Sequence, residues 1–189
     1  MKTLHFQSVF VGGCGTAAGP MEAQGPLKDK IDKLFDDIYC EEKTYEQAER
    51  RLMSEACDHA LRAQGCKTSD LDLILGGDLL TQLGTSHYFA RDLEIPFIGL
   101  YGACSNSTLI AANAAMWIDS GHAERVLGLT SSHNATAERQ FRYPNEYGVQ
   151  KPETTTYTVT GAGAMIFQHE KTPIRLTQAT LGRILDWQF

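Results

Sequence analysis

Residues 109–118, LIAANAAMWI, are helix-length and apolar nearly all round, so a helix built from them must be covered on every side. The run contains Asn113 and falls well short of the roughly 20 residues a bilayer demands, so it is expected to be a central helix of a soluble fold. Before it, FIGLYGA (97–103) reads as a strand, and after it RVLGLTS (125–131) reads as another. A buried helix between two strands is a crossover unit, and the chain repeats that alternation elsewhere.

FQSVFV (6–11) reads as a buried strand. It is followed by GGCGTAAGPMEAQGPL, a Gly-rich stretch read as an extended loop. Within it GCGTAAG has the wrong spacing for GxGxxG and no amphipathic helix begins directly after it, so no nucleotide cofactor is expected there. TYEQAERRLMSEACDHALRAQG is the clearest helix. Thr44 and Gln47 form a capping box, Tyr45, Ala48, Leu52, Ala56, Ala60 and Ala63 line one face, the charges occupy the others, and Gly65 marks the stop. LDLILGGD (71–78) is a short apolar strand, and a polar helix from Ser86 to Leu93 leads to Pro96. TVTGAGAMIFQ and IRLTQATLG close the chain as strands. Alternating strands and helices give an α/β fold with a mostly parallel or mixed five-stranded sheet and helices on both faces, in one domain spanning residues 1–189.

With 42% hydrophobic residues and a net charge of −6, the chain has an ordinary core and no global field favouring nucleic acid. Its five cysteines include no CxxC and the N-terminus shows no signal pattern, so reduced thiols in an intracellular protein are expected. Any membrane association would be peripheral.

Cys104 stands where the strand FIGLYGA meets the central helix. A thiol there faces free N–H groups and the positive end of the helix dipole, which favour a thiolate and could stabilise an oxyanion during acyl transfer. It could be a nucleophile, a wall of a binding pocket or a small core residue. Cysteine chemistry usually needs a histidine, and of six only His133 lies beside a strand C-terminus, where open α/β sheets form their ligand crevice. His133 could equally be a solvated loop residue. No histidine pairs with a cysteine or carboxylate at a metal-ligand spacing, so no metal is expected. Between Ser132 and Thr160 periodicity lapses over a segment rich in groups that bind ligands, and loops of that length are usually functional.

AERRLMSEACDHAL, DLDLILGGDLL, IPFIGLYGACSNS and TGAGAMIF together resemble the N-terminal half of the thiolase superfamily, in which the nucleophilic cysteine sits at the position of Cys104. More specifically, GGDLLTQL, GLYGACSNS, TSSHNATAERQFRYPNEYGVQKP and TVTGAGA look like the stage V sporulation protein AD family of spore-forming bacteria, over nearly the whole chain from about Gly19. That resemblance implies a thiolase-like fold used to bind dipicolinic acid during its uptake into the developing spore, without catalysis. By the same resemblance the partners are other proteins of that uptake system, and the location is the forespore or spore, peripheral to the inner membrane.

Dipicolinic acid is a planar pyridine with two carboxylates. Arg139 and Arg142 could supply guanidinium forks for the carboxylates, and Tyr143 and Tyr147 could supply faces for the ring. Arg139 could instead pair with Glu138 or Glu146. The alternative function is acyl transfer, with Cys104 taking an acyl group from a thioester. Thiolase-type chains have two similar halves, and the second carries a histidine with another histidine or an asparagine. This sequence ends roughly where that half would begin, so it is expected to lack a complete condensing site. The second face of its central helix is then expected to be covered by self-association or by a second half.

Overall fold

A computed structural model of the chain describes residues 1–80, 82–137 and 158–186. Its elements are β1 (Lys2–His5), β2 (Phe10–Ala18), β3 (Lys33–Leu34), α1 (Tyr45–Gln64), β4 (Leu73–Gly77) and α2 (Gly84–Leu93), followed by β5 (Phe97–Gly99), α3 (Asn106–Asp119), β6 (Arg125–Ser132), β7 (Gly161–Gln168), β8 (Ile174–Arg175) and β9 (Gln178–Leu181). The fold is α/β.

The main sheet has the order β3-β2-β7-β6-β4-β5, and β8 pairs with β2 beside it. Four of its strands, β4, β5, β6 and β7, fall where they were expected, whereas the strand expected over 6–11 is reduced to Phe10 and Val11, which begin β2. β3 and β8 are two-residue additions that pair with opposite ends of β2. Strand β4 is parallel to both β5 and β6, the product of crossovers through α2 and α3. β7 runs antiparallel to β6 and β2, which makes the sheet mixed rather than mostly parallel. The reason is local: Ser132 ends β6 and pairs with Gly161, which begins β7, so the chain leaves and re-enters the sheet at one end. The stretch IRLTQATLG divides, and its second part, β9, joins β1 in a separate antiparallel pair.

Alternation along the strands feeds two cores. Ile74, Leu127, Leu129 and Ile166 pack against Met53, Ala56 and Ala60 of α1 on one face. Leu73, Leu75, Val126 and Phe167 pack against Ile110, Ala114, Ala115 and Ile118 of α3 on the other. Burying one such Leu or Ile fully contributes about 1.5–3 kcal/mol. The described chain buries Ile110, Ala114, Ala115 and Ile118 of α3 against the sheet, while Met116 is 41% exposed. A single sheet touches a single stripe of a helix, so cover on every side does not come from these residues.

Helix α1 starts and stops as expected. The Thr44 hydroxyl accepts the Gln47 N–H at 3.3 Å, and Gly65 closes the helix in the left-handed conformation with φ 73°. The Gln47 side chain reaches back to the Lys43 N–H instead of that of Thr44. The Gly-rich stretch is not a loop: residues 10–18 form β2, a strand through the sheet. Its glycines let α1 lie directly on the backbone. A Cβ at Gly13 would sit 2.2 Å from the Ala60 carbonyl oxygen, and one at Gly15 would sit 2.0 Å from that of Ala56. Close packing, not turn geometry or phosphate binding, is what these residues serve.

The buried face of α1 also carries a charge-bearing residue, against the expectation that its charges lie outward. Glu49 is 1% exposed.

Candidate functional site

Cys104 lies in a short turn, Ala103–Ser105, between β5 and α3. The turn is set by the residues that follow it. The Asn106 side-chain oxygen accepts the Gly102 N–H at 2.5 Å, and its amide donates to the Asp78 carbonyl at 3.4 Å. The Ser105 hydroxyl donates to the Gly102 carbonyl at 2.6 Å. These contacts hold Ala103 at φ 47°, a left-handed conformation that costs a residue with a Cβ about 1–2 kcal/mol. The side chain of Cys104 is left exposed at the mouth of α3.

Asp78, at the C-terminal end of β4, anchors the next stretch. One carboxylate oxygen accepts the Leu80 N–H at 3.0 Å, and the other accepts the Ser86 N–H and hydroxyl, each at 2.8 Å. Asp78 is fully buried. It therefore ties the start of α2 to the strand end beside the Cys104 turn.

Cys104 lines a cavity of about 630 Å³. Thr16 and Ala18 of β2, Ser131 and Ser132 of β6, and Gly161 and Gly163 of β7 supply much of the rest of its wall. The size suits a small organic molecule. Its walls are largely apolar, and among the described lining residues Glu22 is the one that carries a charge. One Glu22 oxygen accepts the Thr160 N–H at 3.2 Å, while the other is buried with no hydrogen-bond partner.

His133 does not stand on that wall. It is 1% exposed, with Nε2 donating to the Ile38 carbonyl at 2.7 Å and Nδ1 accepting the Ala135 N–H at 3.1 Å. Its ring packs on Tyr45 at 5.1 Å between centroids, and burial lowers its pKa. A neutral imidazole with both nitrogens engaged organises the turn after β6. The structure thus places Cys104 at the cavity and His133 in the core beside it. Arg139, Arg142, Tyr143 and Tyr147 lie outside the described residues. The described residues on either side of their segment are joined next to the cavity: the Ser132 hydroxyl donates to the Val159 carbonyl at 2.5 Å, and the Thr160 hydroxyl accepts the Asn134 N–H at 3.1 Å. Thr158 and Val159 themselves line the cavity.

Beneath Ser131 lies the residue that the sequence analysis missed. Glu49 accepts the Ser131 hydroxyl at 2.8 Å on one oxygen, and the hydroxyls of Thr136 at 2.5 Å and Thr85 at 3.3 Å on the other. Burial pushes its pKa up to about 7, against the three hydroxyls that favour the charge and with the help of nearby Asp78. A glutamate four residues from Tyr45 and three from Leu52 was the available signal, since it falls within the apolar stripe. Among the described residues no group of three or more His, Cys, Asp or Glu side chains could hold a metal, and no helix is long and apolar enough to cross a membrane.

The same arrangement of sheet and helices occurs in condensing enzymes. The chain superposes with a TM-score of 0.58 on 3-oxoacyl-[acyl-carrier-protein] synthase III from Aquifex aeolicus, at 18% identity, covering 87% of this chain and 55% of that one. A priming beta-ketosynthase of a polyketide pathway gives 0.58 at 15% identity, covering 92% and 53%. At these identities the likeness is one of fold, and that fold is thiolase-like. The sequence carries the relationship further. The pattern of the stage V sporulation protein AD family matches residues 1–189. Stage V sporulation protein AD of Bacillus subtilis strain 168 is 51% identical over 178 residues, covering 94% of this chain. The chain spans about half the length of that relative, 53%. A match over its whole length, joined to that identity and to a thiolase-like fold with the thiol at the expected turn, means that the chain belongs to the stage V sporulation protein AD family.

Proposed function

We propose that this sporulation protein binds dipicolinic acid at the Cys104 cavity and takes part in the acid's uptake into the developing spore, without turning it over. The observation that carries the reading is where the described chain breaks off and resumes. Ser132–Val159 and Asn134–Thr160 join the residues before and after the arginine- and tyrosine-bearing segment at the edge of a space of about 630 Å³, and the reading takes Arg139, Arg142, Tyr143 and Tyr147 of that segment as ligand contacts. A dicarboxylate needs that cationic supply, because the charge on the described wall is the carboxylate of Glu22. Cys104 then shapes the wall, and His133 supports the turn from behind.

The partners in this reading are the other proteins of the uptake system, at the inner membrane of the forespore. The uncovered side of α3, marked by Met116, is the face on which a second thiolase half or another copy would pack. Calorimetric titration with dipicolinic acid tests the binding. Arg139→Ala or Arg142→Ala should weaken it by 10-fold or more, on the order of 1.5–3 kcal/mol for a charged hydrogen bond, and Cys104→Ala should change it little. Unchanged affinity in both arginine variants would remove them from the site.

Exposure of Cys104 on the cavity wall favours acyl transfer as the second reading. In that reaction the thiolate attacks a thioester carbonyl, the carbonyl oxygen passes through an oxyanion, and the thiol of the donor leaves with a proton. Incubation with acyl-CoA would add the acyl mass to the wild type and not to Cys104→Ala.

A further inference from the structure

We propose that Glu49 is a positioning residue of the Cys104 cavity that takes up a proton when an anionic ligand binds, so that occupancy of the cavity is coupled to pH. The inference rests on the reading of the ligand as a carboxylate anion.

The geometry supports two protonation states without rearrangement of the fold. Ionised, Glu49 receives three hydroxyl donors, from Ser131, Thr136 and Thr85. Protonated, it needs an acceptor for its own hydrogen, and Thr136 is placed to be one. The Thr136 oxygen is 2.5 Å from Glu49 and also 3.3 Å from the His133 carbonyl oxygen. Glu49 can therefore donate to Thr136 while Thr136 turns its own hydrogen to His133, leaving the Ser131 bond in place. Each state satisfies every buried group, the condition under which a buried carboxyl can titrate in place.

Ser131 connects this pair of states to the cavity, since it lines the wall while its hydroxyl is spent on Glu49. An anion on the other side of that hydroxyl disfavours the carboxylate and favours the acid, as one like charge does to another in a buried site. Among the described residues, the groups that act on Glu49 include no compensating cation. From the loop after β4 comes Asp78, itself a carboxylate, and from α2 the uncharged Thr85. From the turn after β6 comes His133, held neutral by burial and tied to Ile38 and Ala135, with Glu46 and Glu22 acting on that ring. Burial has already brought Glu49 to a pKa of about 7, so the extra negative charge acts near neutral pH. The proton comes from solvent, ends on Glu49, and leaves the ligand's own bonds unchanged. Linkage makes the effect reciprocal: if the anion promotes protonation, protonation promotes binding of the anion by the same factor.

The test is titration of the purified protein with pyridine-2,6-dicarboxylate at pH 6 and pH 8, in two buffers of different ionisation enthalpy. Carboxylates of ordinary pKa are ionised throughout that range, so the ligand adds little of the pH dependence. Wild type should bind about 5-fold or more tightly at pH 6 than at pH 8 and take up a fraction of a proton near pH 7. In Glu49→Gln the amide mimics the acid, so binding should be tight at both pH values, with that uptake gone. Thr136→Val should shift the pH dependence upward and Thr136→Ser should restore it, a pair that keeps the question open to test should the glutamine variant not fold. Binding with the same pH slope in wild type and Glu49→Gln overturns the coupling alone, as does wild-type binding without proton uptake. No binding by wild type at either pH overturns the carboxylate ligand, and the coupling with it.

Discussion

Ser131, on the strand that forms the cavity wall, donates its hydroxyl to Glu49, a helix residue buried behind that wall, at 2.8 Å. The pair joins α1 to the C-terminal end of β6 across 82 residues of sequence. Because Glu49 titrates at about 7 in the folded chain and near 4.3 in an unfolded one, folding is linked to its proton. Between those values the unfolded state releases the proton and the folded state keeps it, so rising pH lowers stability through that window and has no further effect above it. The loss attributable to Glu49 reaches on the order of 3 kcal/mol at most. Denaturant unfolding at intervals from pH 4.5 to 8 should show wild type losing stability relative to Glu49→Gln across the window. A constant difference between the two would mean that Glu49 has an ordinary pKa.

Contact between β2 and α1 leaves no room for a side chain at Gly15. A methyl group there would meet the Ala56 carbonyl oxygen at 2.0 Å, and backbone on both sides prevents a cheap adjustment. Gly15→Ala should therefore cost on the order of 2–4 kcal/mol, the upper part of the range for overpacking. The same change at Gly163, whose added Cβ meets nothing within 4 Å, should cost far less and serves as the control. Thermal unfolding of the two variants checks the contrast.

Much of the fold could be read from local pattern. The Thr44 cap, the Gly65 stop and the short apolar strand within 71–78 depend on neighbours in sequence, and each appears where it was expected. What could not be read depends on contacts at long range. GGCG looks like a turn until α1 is laid on it, because glycine serves close approach as readily as it serves a loop. Glu49 looks like a surface charge until Thr85, Ser131 and Thr136 arrive from three other places in the chain. His133 was legible as a residue near the sheet's ligand edge but not as one turned inward, since Ile38, its partner, lies 95 positions away.

Asn106 should control the reactivity of the thiol two residues before it. Its amide spans the Gly102 N–H and the Asp78 carbonyl, and those two bonds fix the turn that carries Cys104. Asn106→Ala would leave both groups without this partner at a buried position, at about 1–3 kcal/mol. It would also free Ala103 from its left-handed conformation. The expected outcome is a modest fall in stability with a changed rate of Cys104 alkylation by iodoacetamide, measured by mass spectrometry. Asn106→Asp keeps the acceptor for Gly102 and should alter the rate less; equal effects from the two substitutions would count against the Gly102 bond as the controlling contact.

Four of the five free thiols should separate into two groups when the native protein is alkylated, with Cys66 intermediate between them. Cys14 and Cys104 are exposed, whereas Cys40 and Cys57 are buried and burial pushes the pKa of each up to about 12. Only the thiolate reacts at an appreciable rate, so a thiol with a pKa near 12 has roughly 10⁻⁴ of its population reactive at pH 8, before any barrier to access. Cys14 is also raised, by burial and by Asp32 beside it, which slows it relative to an ordinary exposed thiol. Limited alkylation at pH 8 should mark Cys104 and Cys14 while Cys40 and Cys57 stay unmodified until denaturant is added. If dipicolinic acid fills the cavity that Cys104 lines, saturating ligand should slow the labelling of Cys104 and leave the core thiols unaffected. Labelling of Cys104 at the same rate with and without bound ligand would put the ligand elsewhere in the molecule.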